Sequence, residues 1–252
     1  MYRFYVEKDA IAGGEITLTG EDHNHIRNVL HMCVYERLIL CDGEGTDYLC
    51  RLKEITRDFV TAQVISQSAS KTELPVRLIL FQGIPKKDKM ELIIQKSVEL
   101  GVNQVVPVMT KRTIVKLEDE KKEEKRRVRW QAIARAAAMQ SMRGVIPQIA
   151  PVLSFSDALR AAGELDAVLI PYEAAEGIAH TREVLAKLAA EGVRSVGIFI
   201  GPEGGFEEEE VRMAEAMGAS AITLGHRILR TETAGMAVLA LLMMEFEADM
   251  DA

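Results

Sequence analysis

Up to residue 64 the chain alternates apolar and polar positions in short runs, at residues 3–6, 15–18, 37–40, 48–52 and 59–64. A period of two is the mark of a strand with one buried face. Asp42-Gly43, between the third and fourth runs, is a residue pair that tight hairpins favour. One interruption, residues 22–31, places Ile26, Val29 and Leu30 on one helical face. Several short strands and one helix in so little chain predict a small β-barrel.

A polar stretch at residues 66–75 ends in Pro75 and changes the pattern. We place the domain boundary there, with domains at residues 1–72 and 73–252. Beyond it, short apolar runs at 78–81, 105–108, 167–170, 196–200 and 221–224 read as strands. Helical periodicity covers 89–100, 119–142, 180–190, 207–217 and a last segment from Thr231 or Thr233 to about Ala248. Pro107 puts the 105–108 strand at or near a sheet edge. Strand and helix in alternation predict an α/β domain with a mostly parallel, helix-covered sheet.

Composition narrows the classes. Apolar residues make up 48% of the 252, enough for a sizeable core. Residues 237–244 are apolar but too short for a membrane span, and acidic residues follow them. Charges at the N-terminus stand where a signal peptide needs an apolar run. A cytoplasmic protein is the expectation. Cys33, Cys41 and Cys50 lack metal-ligand spacing. Cys41 and Cys50 flank the turn at 42–45 and could face each other across the hairpin, as reduced, half-buried thiols. His23 and His25 lie close with no third ligand near, so no metal is expected.

The net charge of −7 is unevenly spread. Residues 75–150 carry 16 basic against 8 acidic side chains, and residues 151–252 carry 7 against 18. The basic middle can hold phosphates, or can be a solvated helix face.

Two glycine-bearing stretches each follow a strand and lead into a helix, where α/β sheets bind ligands. The first is Ile200-Gly201-Pro202-Glu203-Gly204-Gly205-Phe206. It is neither a dinucleotide fingerprint nor a phosphate loop with its lysine. Its glycines admit a ligand close to the backbone, or serve the turn alone. The second is Leu224-Gly225-His226-Arg227-Ile228-Leu229-Arg230-Thr231-Glu232-Thr233-Ala234. Its apolar residues could sandwich a flat ring, or plug the end of the core with the arginines in water.

These motifs resemble the RsmE family, ribosomal RNA methyltransferases that make N3-methyluridine in small-subunit (16S) rRNA. The resemblance spans nearly the whole chain. It is carried by Tyr2-Arg3-Phe4-Tyr5-Val6, His25-Ile26-Arg27-Asn28-Val29-Leu30, Pro85-Lys86-Lys87-Asp88-Lys89-Met90, Gln95-Lys96-Ser97-Val98-Glu99-Leu100-Gly101-Val102, Gln140-Ser141-Met142-Arg143 and both glycine turns. Departures are His31 after Leu30, the run Ala136-Ala137-Ala138-Met139, and Lys87 in place of a usual glycine.

The resemblance implies an N-terminal PUA-like barrel and a C-terminal SPOUT methyltransferase domain with a deep trefoil knot. It implies S-adenosylmethionine as cofactor, a homodimer with its active site near the subunit interface, and rRNA of an assembled or nearly assembled small subunit as partner. Such an enzyme serves rRNA processing and ribosome biogenesis. By motif matching, the cofactor positions are Ile170, Pro171, Ile200, Gly201, Pro202, Gly204, Gly205, Leu224, Gly225, Ile228, Leu229 and Thr231. The basic residues then become RNA contacts: Arg3, Arg27, Lys86, Lys87, Lys89, Arg112 and Arg143, with Arg37 and Lys111 as further candidates.

Methylating uracil N3 requires that its proton leave and that charge gathering on the carbonyl oxygens be stabilised. Arg230, then Arg227, is the candidate to face such an oxygen. Glu232 can orient Arg230 or take the proton. Glu203 is a weaker candidate for either role, or a cap for the following helix. Two alternatives stay open: a non-catalytic RNA-binding assembly factor, and a SPOUT enzyme acting on another nucleotide. A nicotinamide dehydrogenase fails for want of an early glycine fingerprint.

Overall fold

The computed structural model describes residues 1–114 and 119–247. They form two compact units, one of residues 1–73 with 138–146, the other of 74–137 with 147–247.

The first unit is a six-stranded mixed sheet. Strands β1 (Arg3–Tyr5), β2 (Ile11–Ala12), β3 (Glu15–Leu18), β4 (Arg37–Cys41), β5 (Thr46–Ile55) and β6 (Val60–Ala69) run in the order β1-β4-β5-β6-β3-β2. Only β1 and β4 pair in parallel. Phe4, Ile16, Leu18, Leu38, Leu40, Leu52 and Val60 alternate inward from these strands into one core. Cys41 stands opposite Asp47, and Cys50 opposite Leu38. The two thiols therefore do not face each other, and both are fully buried. Burial alone pushes the Cys50 thiol up to about 11.

The expected helix at 22–31 is shorter and wider. Helix α1 (Gly20–Asn24) runs into a π-helical turn (His25–Val29) closed by Leu30 N–H donating to His25 O at 2.9 Å. That five-residue spacing keeps Ile26 in the core but rotates Val29 out to 60% exposure. The returning segment 138–146 completes this unit. Tyr5 Oη donates to Arg143 O (2.6 Å), and Gly45 N–H to Gly144 O (3.0 Å). The Glu73 carboxylate accepts from Gly144 and Val145 N–H and binds the Arg143 guanidinium at 2.5 Å.

The second unit holds β7 (Arg77–Gly83), α2 (Lys89–Glu99), β8 (Gln104–Met109), β9 (Gln148–Ile149), β10 (Leu153–Ser154), α4 (Phe155–Ala162), β11 (Ala167–Pro171), α5 (Ile178–Ala190), β12 (Ser195–Ile200), α6 (Glu208–Ala216), β13 (Ser220–Ile222) and α7 (Thr231–Glu247). Helix α3 (Glu120–Gln140) ends at the returning segment. The expected last helical residue, Ala248, lies outside the described residues.

The sheet is wholly parallel, in the order β10-β8-β7-β12-β11-β13, with β9 also beside β8. Its central strand β7 is buried from Leu78 to Gly83, as a strand covered on both faces must be. Ile79, Phe81, Phe199 and Ile170 pack against α4 and α6. Phe81 and Phe199 are register partners and stack with centroids 4.5 Å apart. Pro107 sits in β8, one strand in from β10.

Candidate cofactor and active site

All strands of a parallel sheet end on one side. The loops after β7, β11, β12 and β13 therefore share the sheet's carboxyl edge. β12 lies between β7 and β11 although it follows both in the chain, so the crossover direction changes there. Such a switch point is where open α/β sheets take ligands.

The first glycine turn is fastened to the end of β7. A Cβ on Gly83 would stand 2.6 Å from Pro202 Cδ, so only glycine admits this approach. Gly205 has φ +67°, and an added Cβ there would meet nothing within 4 Å. Space beside Gly225 is open in the same way. The turn is closed on its β7 side and open on the side a ligand would use.

Thr231 bolts the second turn to the first. Its hydroxyl donates to Gly201 O (2.6 Å) and accepts from Gln82 Nε2 (2.9 Å), which also donates to Gly83 O. The expected capping role of Thr231 is thereby displaced. Helix α7 starts instead with Ala234 N–H donating to Arg230 O. On the outer side Arg112 donates to Gly204 O (2.6 Å) and pairs with Glu207 (2.8 Å). Glu207 and Glu210 form the capping box of α6, so Glu203 does not cap it.

Glu203 turns the other way. Its carboxylate accepts from the Lys86 N–H (3.1 and 3.2 Å) and meets Lys89 Nζ at 3.1 Å. Burial works to raise the Glu203 pKa, but the hydrogen bonds and the Lys89 charge prevail and hold it below the usual value. Lys89 Nζ also lies 3.4 Å from Glu232 Oε2. Its pKa is raised, first by Glu203 and then by Glu232.

Ile170 and Ile200 are buried, and each is paired in the sheet, Ile170 with Ala221 and Ile200 with Gln82. Pro171, Leu224 and Leu229 are half-buried around the edge and Pro202 is buried. Ile228 is 91% exposed, with Arg227 and Arg230 exposed beside it. Three features were missed in the sequence: Lys89 as a bridge, Gln82 as a buried tie, and Arg112 as a brace of the glycine turn. A lysine four residues beyond a buried proline gives no hint of its partners.

Two RNA-contact candidates are spent inside the first unit. The Arg3 side chain is 5% exposed and binds Asp47 at 2.5 Å. Arg143 is 3% exposed and binds Glu73. A buried, paired guanidinium cannot reach a phosphate. Arg27, Arg37, Lys86 and Lys87 are exposed. Lys111 pairs with Glu209.

An RNA methyltransferase domain family model matches residues 72–243, and an RNA methyltransferase PUA domain model matches residues 18–65. The chain is 36% identical to a ribosomal RNA small subunit methyltransferase E of Bacillus subtilis, covering 95% of each. It resembles the crystal structure of a ribosomal RNA small subunit methyltransferase E from Neisseria gonorrhoeae bound to S-adenosyl methionine, at TM-score 0.80 and 32% identity, covering 97% of each chain. A methyltransferase from Legionella pneumophila in complex with the same cofactor aligns at TM-score 0.78 and 31% identity, over 95% of this chain and 96% of that one.

Proposed function

Since the chain belongs to the ribosomal RNA small subunit methyltransferase E family, we propose that it methylates N3 of a uridine in small-subunit rRNA. It is an S-adenosylmethionine-dependent rRNA methyltransferase; the target atom is the finer part of the proposal. One observation carries that part: at the start of α7 an exposed arginine, Arg230, stands two residues from Glu232, whose Oε2 is buried without a hydrogen bond. N3 methylation needs one group for oxyanion charge and one for a proton.

The residues present fit the cofactor. The open flanks of Gly205 and Gly225 leave backbone groups free to approach it, and Leu224 and Leu229 offer apolar contact for an adenine. When bound, S-adenosylmethionine supplies a sulfonium methyl: the S–C bond breaks with its electron pair going to sulfur, and a C–N bond forms at N3. The Glu232 carboxylate accepts the N3 proton. Arg230 faces a uracil carbonyl oxygen and steadies its negative charge, with Arg227 as second donor.

The proposal takes residues 1–72 as the RNA-binding module and 73–252 as the methyltransferase module. Arg27, Lys86 and Lys87 are its phosphate contacts. A trefoil knot is part of it, on the strength of the family match. So is a homodimer, supported by exposed Leu241 and Met244 on α7, and so is a cytoplasmic location. No helix among the described residues is long and apolar enough to cross a membrane.

The test is transfer by purified protein to small subunits lacking the mark, followed by nucleoside mass spectrometry. N3-methyluridine is the expected product. A different methylated nucleoside refutes the target atom, and no methylation refutes the activity.

A further inference from the structure

We propose that Lys89 is a positioning residue for methyl transfer, acting through Glu232 rather than on RNA phosphate. The inference rests on the reading of Glu232 as proton acceptor. Three elements meet at the Lys89 ammonium. Lys89 is the first residue of α2, Glu203 belongs to the first glycine turn, and Glu232 lies in the first turn of α7. The ammonium is 3.1 Å from one carboxylate and 3.4 Å from the other. An ammonium has three donors and no acceptor, so it can serve both. Without it two carboxylates of like charge would face one another across the site and drive each other apart.

The two carboxylates are not equivalent. Glu203 is fixed independently by the Lys86 N–H, which reaches both of its oxygens. Glu232 has no such second anchor: its Oε2 is buried, makes no hydrogen bond and has Lys89 as its charge partner. Glu203 thus anchors the ammonium, and the ammonium aims Glu232. The Glu232 side chain is 15% exposed, so its freedom to find another ion is small. Its Oε2 is turned to the ammonium, and a carboxylate accepts through two oxygens, so acceptor capacity remains for the N3–H.

The same geometry removes Lys89 from the RNA contacts. A cation already shared by two carboxylates adds little attraction for a phosphate, whereas its neighbours Lys86 and Lys87 stay exposed.

The test compares full-length wild type, Lys89→Met, Glu232→Gln, the double variant and Lys89→Arg. Single-turnover transfer to unmethylated small subunits is measured with both substrates saturating. Cofactor affinity is read by calorimetry, and subunit affinity by filter binding over a salt series. Thermal midpoints confirm that each variant folds. Glu232→Gln is expected to slow transfer by about 100-fold or more, the scale of a lost general base. Lys89→Met slows it roughly 10- to 100-fold, Lys89→Arg restores most of the rate, and the double variant is no slower than Glu232→Gln. Cofactor and subunit affinities stay at wild-type values.

Transfer by Lys89→Met at the wild-type rate, with Glu232→Gln slow, overturns the positioning role alone. Losses that multiply in the double variant do the same, because Lys89 would then act independently of Glu232. A salt slope shallower by about 0.7–0.9 in Lys89→Met would make Lys89 a phosphate contact instead. Full-rate transfer by Glu232→Gln sinks the proton-acceptor reading itself.

Discussion

Gly83→Ala tests whether the first glycine turn is held by contact with β7. The alanine adds one methyl group, and the backbone φ of Gly83 lies outside the left-handed region, so there is no conformational penalty to confuse the result. The new carbon would stand 2.6 Å from Pro202 Cδ, 2.7 Å from Pro202 N and 3.1 Å from Gly201 C. Carbon atoms settle at 3.5–4.0 Å, so the two segments must part by about 1 Å. β7 cannot yield easily, since Gly83 is paired with Val108 of β8 and Gln82 with Ile200 of β12. The turn must move, and with it the 2.6 Å bond from Thr231 to Gly201. Overpacking of this kind costs about 1–3 kcal/mol, and a weakened hydrogen bond about 1 more. At roughly 2–4 °C per kcal/mol the melting midpoint falls by about 4–16 °C. Calorimetric titration with S-adenosylmethionine should show affinity reduced roughly tenfold, the equivalent of 1.4 kcal/mol. A variant with the wild-type midpoint and affinity would show that the close approach does not hold the turn.

Gly235→Ala should have the opposite sign. A Cβ there meets Gln82 Oε1 and Ile200 Cγ1 at 3.8 Å, ordinary contact within helix α7, so helix propensity stabilises by about 1 kcal/mol; a lower urea midpoint would refute this. Arg230→Ala should keep the cofactor affinity and lose about 100-fold in methyl transfer, and full activity would remove Arg230 from the mechanism. Burial first, then the Cys41 charge, raises the Tyr5 pKa to about 12, against 10.0 when unfolded. The neutral phenol therefore favours the folded state below pH 10, and that contribution disappears as pH rises from 10 to about 12. Tyr5→Phe, which loses the bond to Arg143 O, should start less stable near pH 7 and fall less steeply over that window, as followed by urea midpoints at each pH. An equal slope would show that Tyr5 does not set the alkaline limb.

The elements with clean periodicity were legible, and so were both glycine turns with their apolar strands. Short elements were not. β9, β10 and α4 are two, two and eight residues long, too brief for a period to accumulate. Buried charge was hidden for another reason. Arg3 and Arg143 read as surface because their partners, Asp47 and Glu73, lie 44 and 70 residues away. Lys87, noted as replacing a usual glycine, has φ 58°, a backbone conformation that glycine adopts without strain. The bridging role of Lys89 depends on three elements meeting and has no local signature.

The returning segment gives the first unit a delayed birth. As the chain leaves the ribosome, its six strands emerge well before residues 138–146, which satisfy Gly45 N–H and give Glu73 and Tyr5 their partners. At about 5–20 residues per second, those partners arrive on the order of ten seconds after Glu73 has been made. An early stop codon anywhere in between would release a protein whose first sheet is fully written but unfinished, so a message that encodes this unit whole must reach the codon for Ile146.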